Sequence, residues 1–450
     1  MKHLSMMMHA NRMKWMAGMA AVVVLGGTPG LRAEGIKVPD AAVIGTKVVD
    51  VTRHGAVADG LTNCAAAIQK AIDETAAAGG GRVVVPKGRF LSGPLVLKSG
   101  IELHLAEGAV LLMGSDPALF PVTDNNRAPF LYAENGHDIR LSGKGVVDGQ
   151  GAPWWKAFRA EKEGGVKGPR RPQLIAIKNC ERVEVQGITT LNPPNTHYSF
   201  RQCRELSIRG IKAVAPDESP NTDALNLSSV RNVLIEGSEI STGDDNIVLL
   251  CGAARQKGVP EVENVAIRDC KLGCGHGLSI GSYTSGGVRN VTVERVAFEG
   301  TTSGIRLKAD RDRGGVVEGI RYKDITMTKV RHPIFITSYY PKPPPTPETA
   351  APAGAKGLLP VWRNISLENI QVTDAANAIT LWGLPEQKIE NVSLRHVAIS
   401  AKAGALVIQA KGVEFSDVKI TSQGPPLRTF DAEVQGLPAV PLTSEPVKFQ

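Results

Sequence analysis

Four short strings in the middle of this 450-residue chain contain side chains that can do acid and base chemistry. They follow one another at about the interval of a repeat that runs through this part of the sequence. Equivalent positions of stacked repeats lie ~4.8 Å apart, so strings that are distant in sequence would share one surface patch. The strings are Asn221-Thr222-Asp223, Gly243-Asp244-Asp245, Gly275-His276-Gly277 and Arg306-Leu307-Lys308.

Three side chains of this patch are carboxylic acids, namely Asp223, Asp244 and Asp245. Like charges at such short range repel, so at least one of the three pKa values should be raised. A protonated carboxyl group would then lie beside ionised carboxylates. Hydrolysis of a glycosidic bond uses this combination, because one group protonates the leaving oxygen while another activates water or attacks the sugar. The coil spacing alone does not distinguish these two mechanisms.

The remaining strings indicate an anionic ligand. Arg306 and Lys308 are separated by one residue, so on a strand both point to the same face and can hold a carboxylate. The glycines on either side of His276 allow a ligand to approach the backbone closely, and the imidazole can hydrogen-bond to an acidic partner. The patch therefore predicts hydrolysis of an acidic sugar chain.

The elements that carry these strings are short strands. From about residue 175, a polar residue followed by alternating aliphatic residues recurs about every 25 to 32 residues, with one longer gap. The gap holds a weaker unit, Gly319 to Tyr322, and the proline-rich segment 341–359. Asparagine at the recurring position can form a stacked ladder inside a turn, or it can lie in ordinary surface turns. The positions are Asn232, Asn264, Asn290, Asn364 and Asn391.

Each repeat has two or three short strands and no helix long enough for a βαβ crossover. Parallel pairing is then reached by coiling the chain into a solenoid. We expect an all-β fold, a right-handed parallel β-helix, with a short N-terminal capping helix. Thr62 or Asn63 can cap that helix, Ile68 and Ile72 can face the core, and Gly79 to Gly81 end it.

The N-terminus has the features of a secretory signal peptide. Basic residues precede an apolar run from Trp15 to Gly27, and Leu31-Arg32-Ala33 follows it. We expect 1–33 to be removed, leaving 34–450 as a single catalytic domain that is secreted or periplasmic. An uncleaved anchor is the alternative. No later segment has the composition of a membrane span, so no membrane association is expected after cleavage.

The charge distribution argues against a nucleic-acid partner. The formal net charge is +8, but four of the basic residues lie in the signal segment and about +4 remains. These charges are spread between apolar positions rather than concentrated in a stripe. The six cysteines are permitted to form disulfides after export, with their pairing open. A zinc site is the weaker interpretation, because His276 has no second ligand cluster.

Taken together in this order, the four strings resemble the signature of glycoside hydrolase family 28, the polygalacturonase family. Neighbouring segments extend the resemblance, which runs from roughly Asp50 through the last repeats. These segments are Asp223 to Asn226, His276 to Ser282 and Gly304 to Lys308. One departure is Asn246, which follows the paired aspartates where the family often has cysteine; it leaves the disulfide pattern open and concerns local bracing.

The resemblance implies cleavage of α-1,4-galacturonosyl linkages in polygalacturonate or pectin, with inversion and without metal or organic cofactor. It assigns the general acid to Asp244 and the hold on the attacking water to Asp223 and Asp245. The expected partner is an acidic polysaccharide, bound by a monomer. The resemblance places His276 with these aspartates among the catalytic residues, beside the scissile bond. The implied substrate-binding residues are Arg306, Lys308, Asn221, Tyr340 with Tyr339 as its alternative, and His197 or Asn195.

Other functions remain open at this point. The substrate can be a decorated pectin, either rhamnogalacturonan or xylogalacturonan, because loops set such specificity. A pectate-lyase-like eliminase would use Ca²⁺ and an arginine base on the same fold. A β-helical polysaccharide-binding protein or adhesin would not need the aspartates. Whether attack is internal or at a chain end depends on loops such as 154–171.

Overall fold

The computed structural model describes residues 37–353, 357–442 and 447. The predicted signal segment lies outside these residues. Strands of successive coils pair in parallel and in register along the described chain. Tyr198 pairs with Leu225, Leu225 with Ile247, and Ile247 with Leu278. The predicted parallel β-helix is therefore confirmed.

The strands form three faces of the coil. The first, which we call the groove face, carries the candidate site. It contains the strands Leu95–Val96, Leu131–Glu134, Ile175–Lys178, Tyr198–Arg201, Leu225–Ser228, Ile247–Cys251, Leu278–Thr284, Ser303–Lys308, His332–Thr337 and Ile379–Trp382.

The other two faces close the coil. The second face contains Lys47–Asp50, Gly81–Val85, Ile101–Leu105, His137–Gly143, Glu181–Gln186, Arg204–Arg209, Arg231–Glu236, Val262–Arg268, Val288–Glu299, Val316–Thr328, Val361–Asn377 and Ile389–Ala403. The third face contains Asp59–Asn63, Gly88–Ser92, Ala109–Met113, Val146–Asp148, Thr189–Leu191, Lys212–Val214, Glu239–Ser241 and Lys271–Gly273.

From Val288 onward the second and third faces merge. The strand Val288–Glu299 pairs with both Val262–Arg268 and Lys271–Gly273. Later strands continue around the same corner, and the last ones also join the groove face. They are Ala405–Thr421, Leu427–Gln435 and Val440–Pro441.

Aliphatic residues stack in columns inside the coil. One column of the second face runs through Val233, Val265, Val291 and Ile320, paired from coil to coil. All four side chains are at most 1% exposed. Burying an aliphatic side chain of this size contributes roughly 1.5–3 kcal/mol. Repetition of such columns explains how a chain with few aromatic residues builds a long core.

The recurring asparagines form the ladder that the repeat allowed. Asn232, Asn264 and Asn290 have positive φ angles of 56°, 58° and 55°. The Asn264 amide donates to the Oδ1 atom of Asn232 over 3.1 Å, and the Asn290 amide donates to Asn264 over 3.2 Å. The Asn391 amide donates to Asn364 over 3.2 Å in the same way. Asparagine is suited to this position because it tolerates the left-handed conformation and pairs with itself.

One helix covers the start of the solenoid, as predicted. Helix α1, Ala65–Ala77, packs on the first strands, with Ile68 and Ile72 fully buried. Cys64 holds the N-cap position, where Thr62 or Asn63 was expected, and the Asn63 side chain accepts a hydrogen bond from the Ala65 N–H over 3.0 Å. The helix ends before Gly79.

Two insertions rise from the groove-face side. A hairpin pairs Val122–Thr123 with Asn126–Arg127, and helix α2 covers Ala152–Lys162. Trp155 of α2 donates its indole N–H to the Pro193 carbonyl over 3.0 Å. Both insertions therefore sit beside the turns that precede the candidate site.

Two further observations bear on the expectations from sequence. Among the described residues, no helix is both long and apolar enough to span a membrane. All six cysteines are free thiols, and five of them are buried.

The asparagine ladder makes a testable contribution to stability. Asn264→Ala removes two ladder hydrogen bonds and places a β-carbon in a left-handed conformation, so we expect the free energy of unfolding to fall by about 2–3 kcal/mol. Asn264→Gly loses the same bonds but adopts the backbone without strain, so its loss should be about 1–2 kcal/mol. Urea unfolding measures both. An alanine variant no less stable than the glycine variant would contradict the role of φ.

Candidate active site

Three of the four strings occupy equivalent places on the groove face. Asp223, Asp245 and His276 each lie two residues before the residues Leu225, Ile247 and Leu278, which pair with one another from coil to coil. The next strand, Ser303–Lys308, carries Arg306 and Lys308. In-register stacking thus brings acidic, imidazole and basic groups onto one outer surface, as predicted.

The three carboxyl groups form a tight cluster. One oxygen of each of Asp223, Asp244 and Asp245 lies within 4.8 Å of the others. Asp245 is buried, at 5% exposed, whereas Asp223 and Asp244 are half-buried. Carboxyl groups at this range repel one another when they are ionised.

Asp245 is the ionised centre of the cluster. Its carboxylate accepts hydrogen bonds from Lys308 Nζ over 2.7 Å, Arg306 Nη1 over 3.1 Å and Ser279 Oγ over 2.7 Å. Burial alone would raise the pKa of Asp245, but the Lys308 and Arg306 charges outweigh it and lower the pKa. Arg306 and Lys308 share one face, as expected, and both contact Asp245, which neutralises one of their two charges.

Asp223 has the opposite environment. The residue as a whole is half-buried, but its carboxyl group is buried. Burial, together with the negative charges of Asp244 and Asp245, raises the pKa of Asp223 well above its usual value. Its strongest polar neighbour is Thr196, whose Oγ1 lies 3.4 Å away. The expectation that crowding raises at least one pKa is met at Asp223.

Asp244 faces the groove between two polar neighbours. The Asn221 amide nitrogen lies 3.4 Å from its Oδ2 atom, and His276 Nε2 lies 4.0 Å from its Oδ1 atom. The same Oδ1 accepts the Asp245 backbone N–H over 2.9 Å. The Asp244 side chain is thus held by the backbone N–H of Asp245 and remains accessible to a ligand.

His276 is held by backbone and side-chain contacts. Its N–H donates to the Asp244 carbonyl over 3.0 Å, and its Nδ1 lies 3.1 Å from Thr302 Oγ1. Burial lowers the pKa of His276, and the positive Arg306 adds to this, while Asp245 and Asp244 partly offset it. The imidazole is therefore neutral at neutral pH.

Asn246, where this chain departs from the family pattern, braces the histidine turn. Its fully buried amide donates to the carbonyls of Gly273 over 3.1 Å and Cys274 over 2.8 Å, and its Oδ1 accepts the Gly277 N–H over 2.9 Å. Gly277 has a φ of 73°, and a β-carbon there would collide with the Ser303 carbonyl. Hydrogen bonds from Asn246, rather than a disulfide, therefore fix this turn.

Comparison with known proteins agrees with this geometry. The family model for glycosyl hydrolases family 28 matches residues 79–422. The chain belongs to this family. It is therefore a glycoside hydrolase of a pectin-degrading family, as the motifs predicted.

Individual relatives point the same way. An endo-polygalacturonase of Pectobacterium carotovorum subsp. carotovorum is 31% identical over 330 residues, covering 69% of this chain and 78% of the relative. The structure is similar to a hyperthermoactive exopolygalacturonase of Thermotoga maritima, with a TM-score of 0.74, 26% identity and coverage of 85% and 94% of the two chains. A polygalacturonase of Erwinia carotovora ssp. carotovora has a TM-score of 0.64, with 25% identity and coverage of 91% and 100%.

The tyrosine of this family 28 enzyme that faces the site is Tyr340. Its ring centre lies 5.7 Å from Lys308 Nζ and 5.2 Å from the Arg313 guanidinium. Tyr339, the alternative, is 7% exposed and bonds through its hydroxyl to Glu348 over 2.9 Å. Tyr339 therefore packs, and Tyr340 is the tyrosine placed for a ligand.

The prediction that His197 touches sugar is wrong. Its ring is fully buried, with Nδ1 2.9 Å from Thr190 Oγ1, and burial lowers its pKa to about 3. Tyr198 pairs with Leu225, so the position equivalent to Asp223 is Thr196. His197 lies one residue further along and points inward. Asn195, the other candidate, does line the groove.

Sequence reasoning missed Arg171. Its guanidinium donates to the carbonyls of Pro194 over 2.7 Å and Pro220 over 2.8 Å, and to Asn221 Oδ1 over 2.7 Å. It also stacks 3.9 Å from the ring centre of Phe158 in α2. Arg171 thus joins two turns and helix α2 next to the cluster. No periodic signal marks it, because it lies in an irregular segment after α2.

The carboxylate cluster has the donor type of a cation site. A metal ion there would compete with Lys308 and Arg306, which already neutralise Asp245. No step of the chemistry is therefore assigned to a metal. The expectation that the enzyme needs none stays a prediction.

Asp223 and Asp245 should affect stability with opposite signs. The folded pKa of Asp223 is raised, so its ionisation costs stability as pH rises through and above the unfolded value of ~3.9. Asp223→Asn should therefore increase the free energy of unfolding at pH 7, and this gain should shrink towards pH 3.5. Urea unfolding at both pH values measures it.

Asp245→Asn is the matched comparison. The pKa of Asp245 is lowered in the folded state, so the ionised Asp245 carboxylate stabilises the fold above ~pH 4. This stabilisation is lost as pH falls through the folded pKa. The variant leaves Lys308 and Arg306 without a counter-charge, which should cost about 3 kcal/mol at pH 7. Equal signs for the two variants at pH 7 would contradict the assigned charge states.

Proposed function

We propose that this enzyme hydrolyses α-1,4-galacturonosyl linkages of polygalacturonate with inversion at the anomeric carbon. The observation that carries the proposal is the position of Arg306 and Lys308 against the carboxylate cluster. Their two charges face one carboxylate, Asp245, and leave a surplus positive charge for a substrate carboxylate beside the acid and base groups. The similarity to a Pectobacterium endo-polygalacturonase supports the same substrate.

In the proposed mechanism, Asp244 protonates the leaving glycosidic oxygen. Asp223 and Asp245 hold a water molecule that attacks the anomeric carbon, and its proton passes to this pair. The product therefore gains one hydroxyl group from water, while the leaving sugar gains the Asp244 proton. The short distances within the cluster allow the proton to return to Asp244 for the next cycle.

The spacing of the carboxyl groups bears on the stereochemistry of the reaction. Most inverting glycosidases separate their carboxyl groups by ~6.5 to 9.5 Å, and retaining ones by ~5 Å. The nearest oxygens here lie within 4.8 Å. Inversion is therefore supported by family membership, and it requires the water held by Asp223 and Asp245 to attack the face of the anomeric carbon opposite the leaving oxygen.

The remaining residues bind and orient the substrate in this proposal. His276 is neutral and presents Nε2 near Asp244, where it can hydrogen-bond to a sugar hydroxyl or to the acid. Tyr340 offers a ring face beside Lys308. Asn221 Oδ1 accepts from Arg171, so its NH₂ group is directed at Asp244. Arg171 is then a positioning residue for Asn221.

We also propose that the enzyme acts outside the cytoplasm as a monomer, after removal of 1–33. The apolar run from Trp15 to Gly27 supports export. The β-helix described from Lys47 onward supports 34–450 as one catalytic domain.

Asp244→Asn should reduce kcat on polygalacturonate by about 10²- to 10⁴-fold with little change in fold, because the amide cannot supply the proton. Release of reducing ends measures activity, and circular dichroism checks the fold. The exposed Asp217→Asn is the matched control and should retain activity. Near wild-type release of reducing ends by Asp244→Asn would exclude Asp244 as the acid.

The products of the wild-type enzyme separate the alternative functions. Proton NMR of the first product should show the β-anomer, and retention would refute inversion. Products that absorb in the ultraviolet would indicate an eliminase. Faster cleavage of rhamnogalacturonan or xylogalacturonan than of polygalacturonate would identify a decorated pectin as the preferred substrate. Binding without cleavage of any of them would indicate a binding protein.

The role of Arg171 has its own test. Arg171→Ala should lower kcat by up to ~10²-fold with little change in KM, because Asn221 is no longer oriented. Guanidinium at low millimolar concentration should restore part of the kcat, which a general loss of packing would not allow. An unchanged kcat, or a loss without rescue, would contradict the positioning role.

A further inference from the structure

Arg313 is a half-buried cation next to the candidate site, and the proposed mechanism does not use it. It lies in the segment 309–315, directly after the strand Ser303–Lys308. The Arg313 backbone N–H donates to the Asp310 carbonyl over 2.9 Å, and the Arg313 carbonyl accepts the Thr284 N–H over 2.8 Å. This segment is thus joined to the end of the preceding strand of the groove face.

The two glycines after Arg313 allow the backbone to pack closely on both sides. A β-carbon on Gly315 would lie 2.2 Å from the Thr284 carbonyl oxygen. The Gly314 N–H donates to the Leu358 carbonyl over 2.7 Å. Because glycine permits this approach, the backbone at the base of the Arg313 side chain is fixed.

The guanidinium group of Arg313 contacts two tyrosine rings. Its Nη1 atom donates to Ser282 Oγ over 3.0 Å. Its central carbon lies 4.8 Å from the ring centre of Tyr283 and 5.2 Å from the ring centre of Tyr340. A cation over an aromatic face is attracted by the electron density of the ring. Arg313 therefore connects the coil that carries His276 with the tyrosine that is placed for a ligand.

The charge of Arg313 is available for these rings. Among residues 37–353 and 357–442, no carboxylate forms an ion pair with Arg313. Arg311 in the same turn differs, because it binds Glu348 over 2.6 Å and Glu386 over 2.7 Å. The two arginines thus have separate roles, with Arg311 paired to acids and Arg313 to aromatic faces.

The Tyr340 ring has few other polar contacts that could fix its direction. Its hydroxyl group forms no hydrogen bond within the part of the chain that the structure describes. Lys308 Nζ lies 5.7 Å from the Tyr340 ring centre, but it donates to Asp245 over 2.7 Å, so its position is set by that carboxylate. Arg313 is the second cation over the ring, and it is held by its own turn.

We propose that Arg313 is a positioning residue that holds the Tyr340 ring beside Lys308 before the substrate binds. This inference rests on the proposed function, in which Tyr340 offers a ring face to a sugar, and it deepens that function. A ring that is already fixed loses less rotational freedom on binding, so the substrate is bound more tightly. Arg313 acts through Tyr340 and does not itself contact the substrate.

A double-mutant cycle between Arg313 and Tyr340 tests this role. Arg313→Gln keeps a donor for Ser282 but removes the charge, so KM for polygalacturonate should rise about fivefold to tenfold with kcat nearly unchanged. Tyr340→Ala should raise KM at least as much, and adding Arg313→Gln to it should raise KM no further. Arg255→Gln is the matched control and should keep KM, because it removes an exposed ion pair with Asp312 in the same turn.

Two kinetic results would overturn the inference. The first is an unchanged KM in Arg313→Gln. The second is a rise in KM when Arg313→Gln is added to Tyr340→Ala that equals the rise in the wild-type background, because Arg313 would then act independently of Tyr340.

A spectroscopic measurement decides the inference without turnover. The chain has six tyrosines, so labelling with 3-fluorotyrosine gives a simple fluorine NMR spectrum, in which Tyr340→Phe identifies the Tyr340 signal. In Arg313→Gln this signal should move towards its position in the unfolded protein, because the ring is released. A signal that keeps its wild-type position overturns the inference. If the wild-type enzyme cleaves no polygalacturonate, the proposed function fails, and this measurement still shows whether Arg313 holds the ring.

Discussion

In-register parallel pairing of successive coils is the constraint on which the rest of this structure depends. It fixes the distance between equivalent residues and their direction, either into the core or onto the surface. The pairing of Leu225 with Ile247, and of Ile247 with Leu278, places three functional strings on one line. A slip of one residue would turn Asp223 or Asp245 towards the core. The aliphatic columns oppose such a slip, because it would expose them.

The site built on this register combines opposite electrostatic environments. Asp245 is buried but compensated by Lys308 and Arg306, whereas Asp223 is crowded by negative charge and holds a proton more tightly. Such an arrangement costs stability, and it keeps a carboxyl group with a raised pKa beside one with a lowered pKa. The long aliphatic core stabilises a fold that carries this cost. The charged side chains of the site thus lie on the outer side of the strands, and the aliphatic side chains that stabilise the fold lie on the inner side.

Turns and insertions between the strands complete the candidate site on the groove face. Asn246 fixes the His276 turn through its amide, and Arg171 ties the turns around Asn221. The hairpin at Val122–Arg127 and the segment after α2 shape one wall of the groove. Loops of this kind can vary without disturbing the solenoid, so the walls of the groove can change while the carboxylate cluster stays in place.

The sequence by itself determined the solenoid, the position of the asparagine ladder and the gathering of the four strings. These features follow from a repeat whose period sets the stacking of the coils, and such a period can be read from the sequence alone. Only the tertiary structure decided the partners of individual side chains. It directed Arg306 and Lys308 at Asp245, turned His197 inward and brought Arg171 to Asn221. Such contacts depend on where each turn breaks the alternation and on how irregular segments fold back, and neither is periodic.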